Sequence, residues 1–169
     1  VQVLARRLQA INPLAEITPV ETFVDGTNFD ETIPCCDVII DCIDSLSAKT
    51  MLVARAKEKA SYVLTSGGAG GKVDVSRVAF SDIAHVKGDS LIAAMRTRLR
   101  KDYGFPKGKD GEKSKPFGIG AVYSDEPVCP SQDGEAGFGV FMGVTTTFAM
   151  RLAQACVQYL LRAQNRKEN

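Results

Sequence analysis

The sequence predicts an α/β protein built on a doubly wound sheet, and three observations lead there. Residues 37–43 (DVIIDCI) form the compact apolar run that a parallel strand buried on both faces requires. Residues 47–60, rich in Ala, Lys, Leu and Met, follow as the crossover helix, and residues 61–65 (SYVLT) read as the next strand. In strand–helix–strand units of this kind ligands lie beyond the carboxyl ends of the strands. That rule directs attention to Asp44, Ser45 and residues 66–71.

The other elements follow in order. Val1, Leu4, Leu8 and Ile11 recur at helical spacing with Arg6, Arg7 and Gln9 on another face, and Asn12-Pro13 stops that helix. Residues 16–23 (EITPVETF) read as a short strand. In the second half Val73, Val75, Val78 and Phe80 alternate as an antiparallel strand does, with an irregularity at Ser76-Arg77. Asp89 or Ser90 caps a helix with Leu91, Ile92, Met95 and Leu99 on one face and Arg96, Arg98, Arg100 and Lys101 elsewhere. Residues 105–117 form a Gly-, Pro- and Lys-rich loop before a strand at 118–123, and residues 124–139 form a second irregular segment. A closing helix with Val144, Phe148, Leu152, Ala155 and Tyr159 on its face runs to about residue 163. The expected organisation is one domain over residues 1–164 with a polar tail at 165–169.

Composition narrows the function classes. The 169 residues are 44% hydrophobic and 24% charged, as in an ordinary globular chain, which excludes collagen-like or fully disordered classes. Lys plus Arg exceed Asp plus Glu by 21 to 20, so an anionic partner must be met by a local patch. Apolar runs such as 38–40 and 138–142 fall far short of the ~18–20 residues of a membrane helix. Five cysteines without framework spacing indicate a reducing compartment, and the lack of Cys-x-x-Cys argues against a structural zinc site. The single histidine, His85, excludes any two-histidine mechanism and reads as a surface residue.

Two segments carry candidate chemistry. Asp41 lies within its strand and Asp44 at the strand's end, where a carboxylate can face a ligand or its Mg2+ ion. The competing reading is that Asp44 or Ser45 caps the next helix. The run TSGGAGGK places Gly67, Gly68, Gly70 and Gly71 within five positions, which allows positive φ and close backbone approach. It is no P-loop, because Val73 follows Lys72, and it comes too late in the sheet for a dinucleotide fingerprint. By itself it reads as a tight bend. The chain has no initiator Met and no capping residue before Val1, so it is expected to be a fragment that lacks an N-terminal portion.

Residues 37–45 (DVIIDCIDS), the helix after them and residues 63–104 (VLTSGGAGGKVDVSRVAFSDIAHVKGDSLIAAMRTRLRKDYG) resemble the tRNA threonylcarbamoyladenosine dehydratases. These are a branch of the ThiF/MoeB-type adenylating enzymes, related to ubiquitin-activating enzymes. The resemblance covers nearly the whole chain, from the helix ending INP to the last helix after GFG. The strand end IDS, the TSGGAGG run and the D-S-L plus basic-helix segment are specific in combination. A DCxD strand end alone is shared across ThiF-like proteins. The resemblance implies a Rossmann-like ThiF/MoeB-type adenylating fold, a mixed sheet with helices on both faces, whose N-terminal nucleotide-loop part is missing here. It also implies ATP with Mg2+ as cofactors and adenylation of a carboxylate, that of the threonylcarbamoyl group on an anticodon-loop adenosine. Loss of AMP then closes a cyclic ester-like ring.

Carried over residue by residue, the resemblance implies that Asp44 is catalytic and faces Mg-ATP or the adenylate, and that Asp41 is its structural companion. Ser45, Lys49, Gly67 and Gly68 fall at the cofactor, Lys49 approaching phosphate from its helix, while Gly70 and Gly71 contribute shape. The family's substrate is an RNA, so Arg96, Arg98, Arg100 and Lys101, with Lys87, Lys107, Lys109, Lys113 and Lys115 around them, are expected to grip the tRNA backbone. The alternative is a solvated helix face. A homodimer and a sulfur-transfer or cysteine desulfurase partner are further implications. Without an anchor in this chain, cytoplasm is the expected location, or the mitochondrial outer membrane if a missing segment carries one.

The departures are as definite. The family's Gly-rich nucleotide loop, its ribose-holding acid and its phosphate-contacting Arg and Lys lie upstream of Val1, so the chain as given is expected neither to bind ATP well nor to turn over. Residues 122–137 are shorter than in relatives, and Cys129, within that segment, reads as a surface thiol with no covalent role. Two alternatives stand beside the dehydratase. One is an activating enzyme for a ubiquitin-like or sulfur-carrier protein, against which stands the lack of paired zinc cysteines. The other is a non-catalytic truncated module that binds or dimerises.

Overall fold

The computed structural model describes residues 1–107, 115–128 and 139–167. Contacts divide the chain into two units, Val1–Pro34 and Cys35–Asn169.

In the first unit, α1 (Gln2–Ile11) forms as its periodicity requires, although no residue in it is buried. The strand expected at residues 16–23 does not form. Pro19 cannot donate to a ladder, Phe23 is exposed, and a strand without a neighbour has nothing to satisfy its backbone. A turn follows in which Asp25 Oδ1 accepts from Thr27 N–H at 2.7 Å and Asn28 N–H at 3.2 Å, and it leads into the single turn α2 (Phe29–Thr32).

The second unit carries β1 (Val38–Asp41), α3 (Leu46–Glu58), β2 (Tyr62–Ser66), a 3-10 turn (Val75–Arg77), β3 (Val78–Asp82), α4 (Ser90–Asp102), β4 (Ile119–Ser124) and α5 (Met142–Lys167). The sheet order is β1-β2-β4-β3. β1, β2 and β4 run parallel, with Asp41 beside Thr65 and Ser66 beside Val122, whereas β3 is antiparallel to β4, pairing Val78 with Ser124. This is the expected mixed sheet. The irregularity expected at Ser76-Arg77 is the 3-10 turn, which leaves Val73 and Val75 outside the strand.

Helices cover both faces. α3 packs on β1, β2 and α4, and α5 packs on β2, β4 and β3. Because side chains alternate along a strand, Leu64 and Val122 meet Val144, Phe148 and Leu152 of α5 while Thr65 faces α3. The stretch expected as a tail continues the helix: α5 runs to Lys167.

Candidate active site

Three parallel strands deliver their carboxyl ends to one edge of the sheet, and the antiparallel β3 begins there too. Residues 42–45, 66–72 and 124–128 therefore line a common edge, where the crevice rule places ligands.

Asp41 ends β1 and is buried. Its carboxylate meets Lys49 Nζ at 2.8 Å, accepts from Thr65 Oγ1 at 2.6 Å and accepts from Ile43 N–H at 3.0 Å. Lys49 has no exposed side-chain surface and also donates to the Ile43 carbonyl at 3.0 Å. The pair neutralises itself inside the fold and ties α3 to the strand end. This corrects the expectation for Lys49: its ammonium faces Asp41 and a carbonyl, not the solvent side where a phosphate would lie.

Asp44, three residues on, is exposed, and among the described residues its carboxylate has no hydrogen bond or ion pair. Ser45 occupies the N-cap position of α3 without a side-chain cap bond. Neither residue therefore performs the capping role that competes with the functional reading. The first N–H groups of α3 stay uncapped beside a solvent-facing carboxylate, an arrangement able to take an anion and its metal together.

The glycine run crosses the end of β2 around a buried charge pair. Lys72 Nζ donates to the Ser124 carbonyl at 2.6 Å and lies 3.5 Å from Asp89 Oδ2. That same oxygen accepts from Gly68 N–H at 2.9 Å, while Asp89 Oδ1 caps α4 through Ile92 N–H at 2.9 Å. A Cβ on Gly67 would collide with this carboxylate, 2.9 Å from its Cγ, whereas one on Gly68 would meet only Leu91 at 3.9 Å. Gly71 takes a φ of +68° and donates to Gly139 at 2.9 Å. The run thus supplies shape, as a tight bend does, and Gly67 is the glycine that close approach demands. Sequence reading missed Lys72 and Asp89 as a pair. The available signal was a lysine closing a glycine run together with an aspartate at a helix start.

The basic residues of α4 separate. Arg96 donates from Nη1 to the Ile83 and Val86 carbonyls at 3.0 and 2.8 Å, and burial, reinforced by Arg100, lowers its guanidinium pKa. It knits the preceding turn to the helix, which corrects its placement among RNA-gripping residues. Arg98 and Lys101 are exposed. Arg100 donates to Pro106 at 3.1 Å, lies 5.5 Å from the Phe117 ring centre and, with Thr97, Lys101 and Lys107, borders an open hollow of about 520 Å3. Lys109, Lys113 and Cys129 lie outside the described residues. Among the described residues no group of three or more His, Cys, Asp or Glu could hold a metal by itself, and no helix is long and apolar enough to cross a membrane.

A mixed, mainly parallel sheet with a glycine bend past β2 and, past β1, an acid that is unbonded among the described residues is an α/β arrangement whose carboxyl edge suits a ligand. The chain belongs to the ThiF family, whose model matches residues 1–168. It is 29% identical to the tRNA threonylcarbamoyladenosine dehydratase of Haemophilus influenzae over 97% of this chain and 66% of that protein. With the Escherichia coli protein of the same name it shares 32% identity over 87% of this chain and 60% of that one. The crystal structure of the E. coli tRNA N6-threonylcarbamoyladenosine dehydratase in complex with AMP superposes with a TM-score of 0.84 at 31% identity, covering 97% of this chain and 65% of that one. The complex of that enzyme with ATP gives 0.82 at 30% identity, with the same coverage. The chain thus spans between 60 and 66% of the length of the relatives it matches.

Proposed function

We propose that this chain is part of an ATP-dependent enzyme that adenylates the carboxylate of threonylcarbamoyladenosine in tRNA and closes it to a ring as AMP leaves. The observation that carries the reading is the state of Asp44: exposed, unbonded among the described residues and beside the uncapped start of α3 at the carboxyl edge. The names of the relatives, and the AMP and ATP bound in the E. coli structures, supply the chemistry. Mg-ATP, when bound, supplies the electrophilic α-phosphorus. The donor set fits it, because a single hard carboxylate oxygen suffices where nucleotide phosphates and water complete the coordination of Mg2+. Asp44 would hold that metal, and Ser45 with the first N–H groups of α3 would face phosphate. The Asp41–Lys49 pair holds the segment between strand and helix in place, and Gly67 and Gly68 keep the neighbouring wall low.

Asp44→Asn in the intact enzyme should lower dehydration of threonylcarbamoyladenosine tRNA by orders of magnitude and leave the melting temperature nearly unchanged. Parallel loss of stability and activity would return Asp44 to a structural role. The 169-residue chain contains no Gly-x-Gly-x-x-Gly segment, so calorimetry on this chain should show ATP binding no tighter than millimolar. Micromolar affinity would place the nucleotide elsewhere. A homodimer is part of the reading, supported by Met150, Val157 and Leu161, apolar residues on α5 that are 67, 54 and 56% exposed. Cytoplasm is the proposed location.

A further inference from the structure

α5 contains no Asp or Glu anywhere along Met142–Lys167, and its arginines are Arg151, Arg162 and Arg166. With Ala155, Gln158 and Tyr159 they recur three, four, seven or eight positions apart and so share one side of the helix. That side overlooks the far part of the sheet. There a hollow of about 450 Å3 opens, lined by Tyr62, Phe80, Ala155, Tyr159, Arg162 and Arg166 among others. A second hollow of about 170 Å3 continues it past Phe80 to Arg151 and Gln154.

Sequence explains why space is left. Gly120 has no side chain, and a Cβ there would lie 2.6 Å from the Phe80 ring, so the ring occupies the room a side chain on β4 would fill. Ala155 above it stops short. The Phe80 ring is left 40% exposed in a place where an aromatic would ordinarily be covered. Tyr62 and Tyr159 form one wall, their rings stacked at 4.0 Å and 6°. Among the described residues Arg162 and Arg166 make no hydrogen bond or ion pair, Arg151 is bonded only to Gln154 at 3.3 Å, and no acid lines either hollow.

We propose that this groove binds single-stranded RNA, with a base against Phe80 and the tyrosine pair and successive phosphates along Arg166, Arg162 and Arg151. Aromatic faces beside guanidinium forks are what an unpaired nucleotide strand requires, since every base has a π face and every linkage a phosphate. Arg151 and Arg166 are fifteen residues apart, about 22 Å along a helix, which is a track for several nucleotides and too long for a mononucleotide. A duplex would offer phosphates but no free base to stack. A second copy of the chain would bring arginines against arginines, and the apolar residues suited to a protein contact, Met150, Val157 and Leu161, lie on another side of α5. The groove is also remote from Asp44: Tyr62 opens β2 at the edge opposite the one where β1 delivers Asp44. It would therefore hold RNA away from the base being modified. The choice of RNA over DNA rests on the tRNA reading above.

The test is fluorescence anisotropy of a labelled single-stranded uridine 12-mer with the 169-residue chain, across a salt series. Phe80→Ala should weaken binding about tenfold because the base has no ring to stack on. Arg162→Gln with Arg166→Gln should weaken it and flatten the salt slope by about 1.4, near 0.7 for each phosphate that is no longer neutralised. The arginine variant should melt as the parent does; Phe80→Leu, which keeps the room over Gly120 filled without a ring, should weaken binding as Phe80→Ala does, and Arg6→Gln with Arg7→Gln, exposed on α1, serves as the control for charge elsewhere. Equal binding by parent and groove variants overturns the proposal. So does absence of strand binding at low salt, or sedimentation showing that the groove variants only abolish self-association. Asp44→Asn separates the two readings, since it should abolish dehydration in the intact enzyme and leave strand binding unchanged. Strand binding through the groove in a protein inactive on tRNA would sink the functional reading alone.

Discussion

Asp41 and Asp44 lie three positions apart and meet opposite environments. Asp41 is enclosed by Lys49, Thr65 and the Ile43 amide, whereas Asp44 faces solvent with its oxygens unused among the described residues. A buried carboxylate that loses its only counter-charge suffers the full desolvation penalty, so Lys49→Ala should destabilise the fold by about 3–5 kcal/mol. Denaturant unfolding measures this. If Lys49 instead contacted phosphate, the substitution would weaken nucleotide affinity and leave the unfolding midpoint unmoved. The sequence showed both carboxylates and the end of the strand; it could not show which way the Lys49 ammonium turns, because that depends on the depth at which α3 packs on β1.

At the scale of elements, Asp89 joins three segments: it caps α4, holds the Gly68 amide and faces Lys72, which in turn is bonded to the end of β4. Asp89→Ala removes a cap worth about 0.5–2 kcal/mol and orphans a buried lysine, so the loss should exceed that of a cap alone. Asp89→Asn, which keeps the cap, should recover part of it; equal loss in the two variants would show that the cap contributes nothing, and full recovery in Asp89→Asn that the charge contributes nothing. The contact of β2 with α5 carries a pH signature. Burial raises the Tyr62 phenol above its ordinary pKa of 10.0, against a smaller lowering by Arg162. A group whose folded pKa is raised contributes stability below its unfolded pKa and loses it as pH climbs through the folded value. Absorbance titration should therefore show one of the four tyrosines ionising late, in the range above pH 10, and Tyr62→Phe should remove that step and part of the alkaline loss of stability. A titration unchanged by the substitution would assign the late step to another residue.

For the whole molecule, a net charge of +1 conceals local asymmetry. The outer end of α4 presents Arg98, Arg100 and Lys101, while Arg96 is turned inward to two carbonyls. If this end grips the tRNA backbone, Arg98→Gln with Lys101→Gln in the intact enzyme should weaken tRNA binding and flatten its salt dependence, with ATP affinity unchanged. An unchanged slope would mean that the charge only solubilises the surface. Arg96→Gln should instead lower the melting temperature, because two carbonyls would lose their donor.

Periodicity and composition alone placed strands at 37–43 and 61–65, a helix between them, a cap at Asp89 or Ser90 and Asp44 at a strand end, because each is dictated by neighbours within a few residues; the strands form at Val38–Asp41 and Tyr62–Ser66, and the cap is Asp89. They misread residues 16–23, since an alternating pattern becomes a strand only where a ladder partner exists, and pairing is not written locally. Tertiary structure decided the roles of the charged residues. Lys49, Lys72 and Arg96 read as surface cations by type, yet each is drawn inward by a carboxylate or carbonyl that the fold brings from 8, 52 or 10 to 13 positions away. A side chain's sequence states its charge; only the packed fold sets its solvent and its partner, and those decide whether the charge binds a ligand or holds the fold.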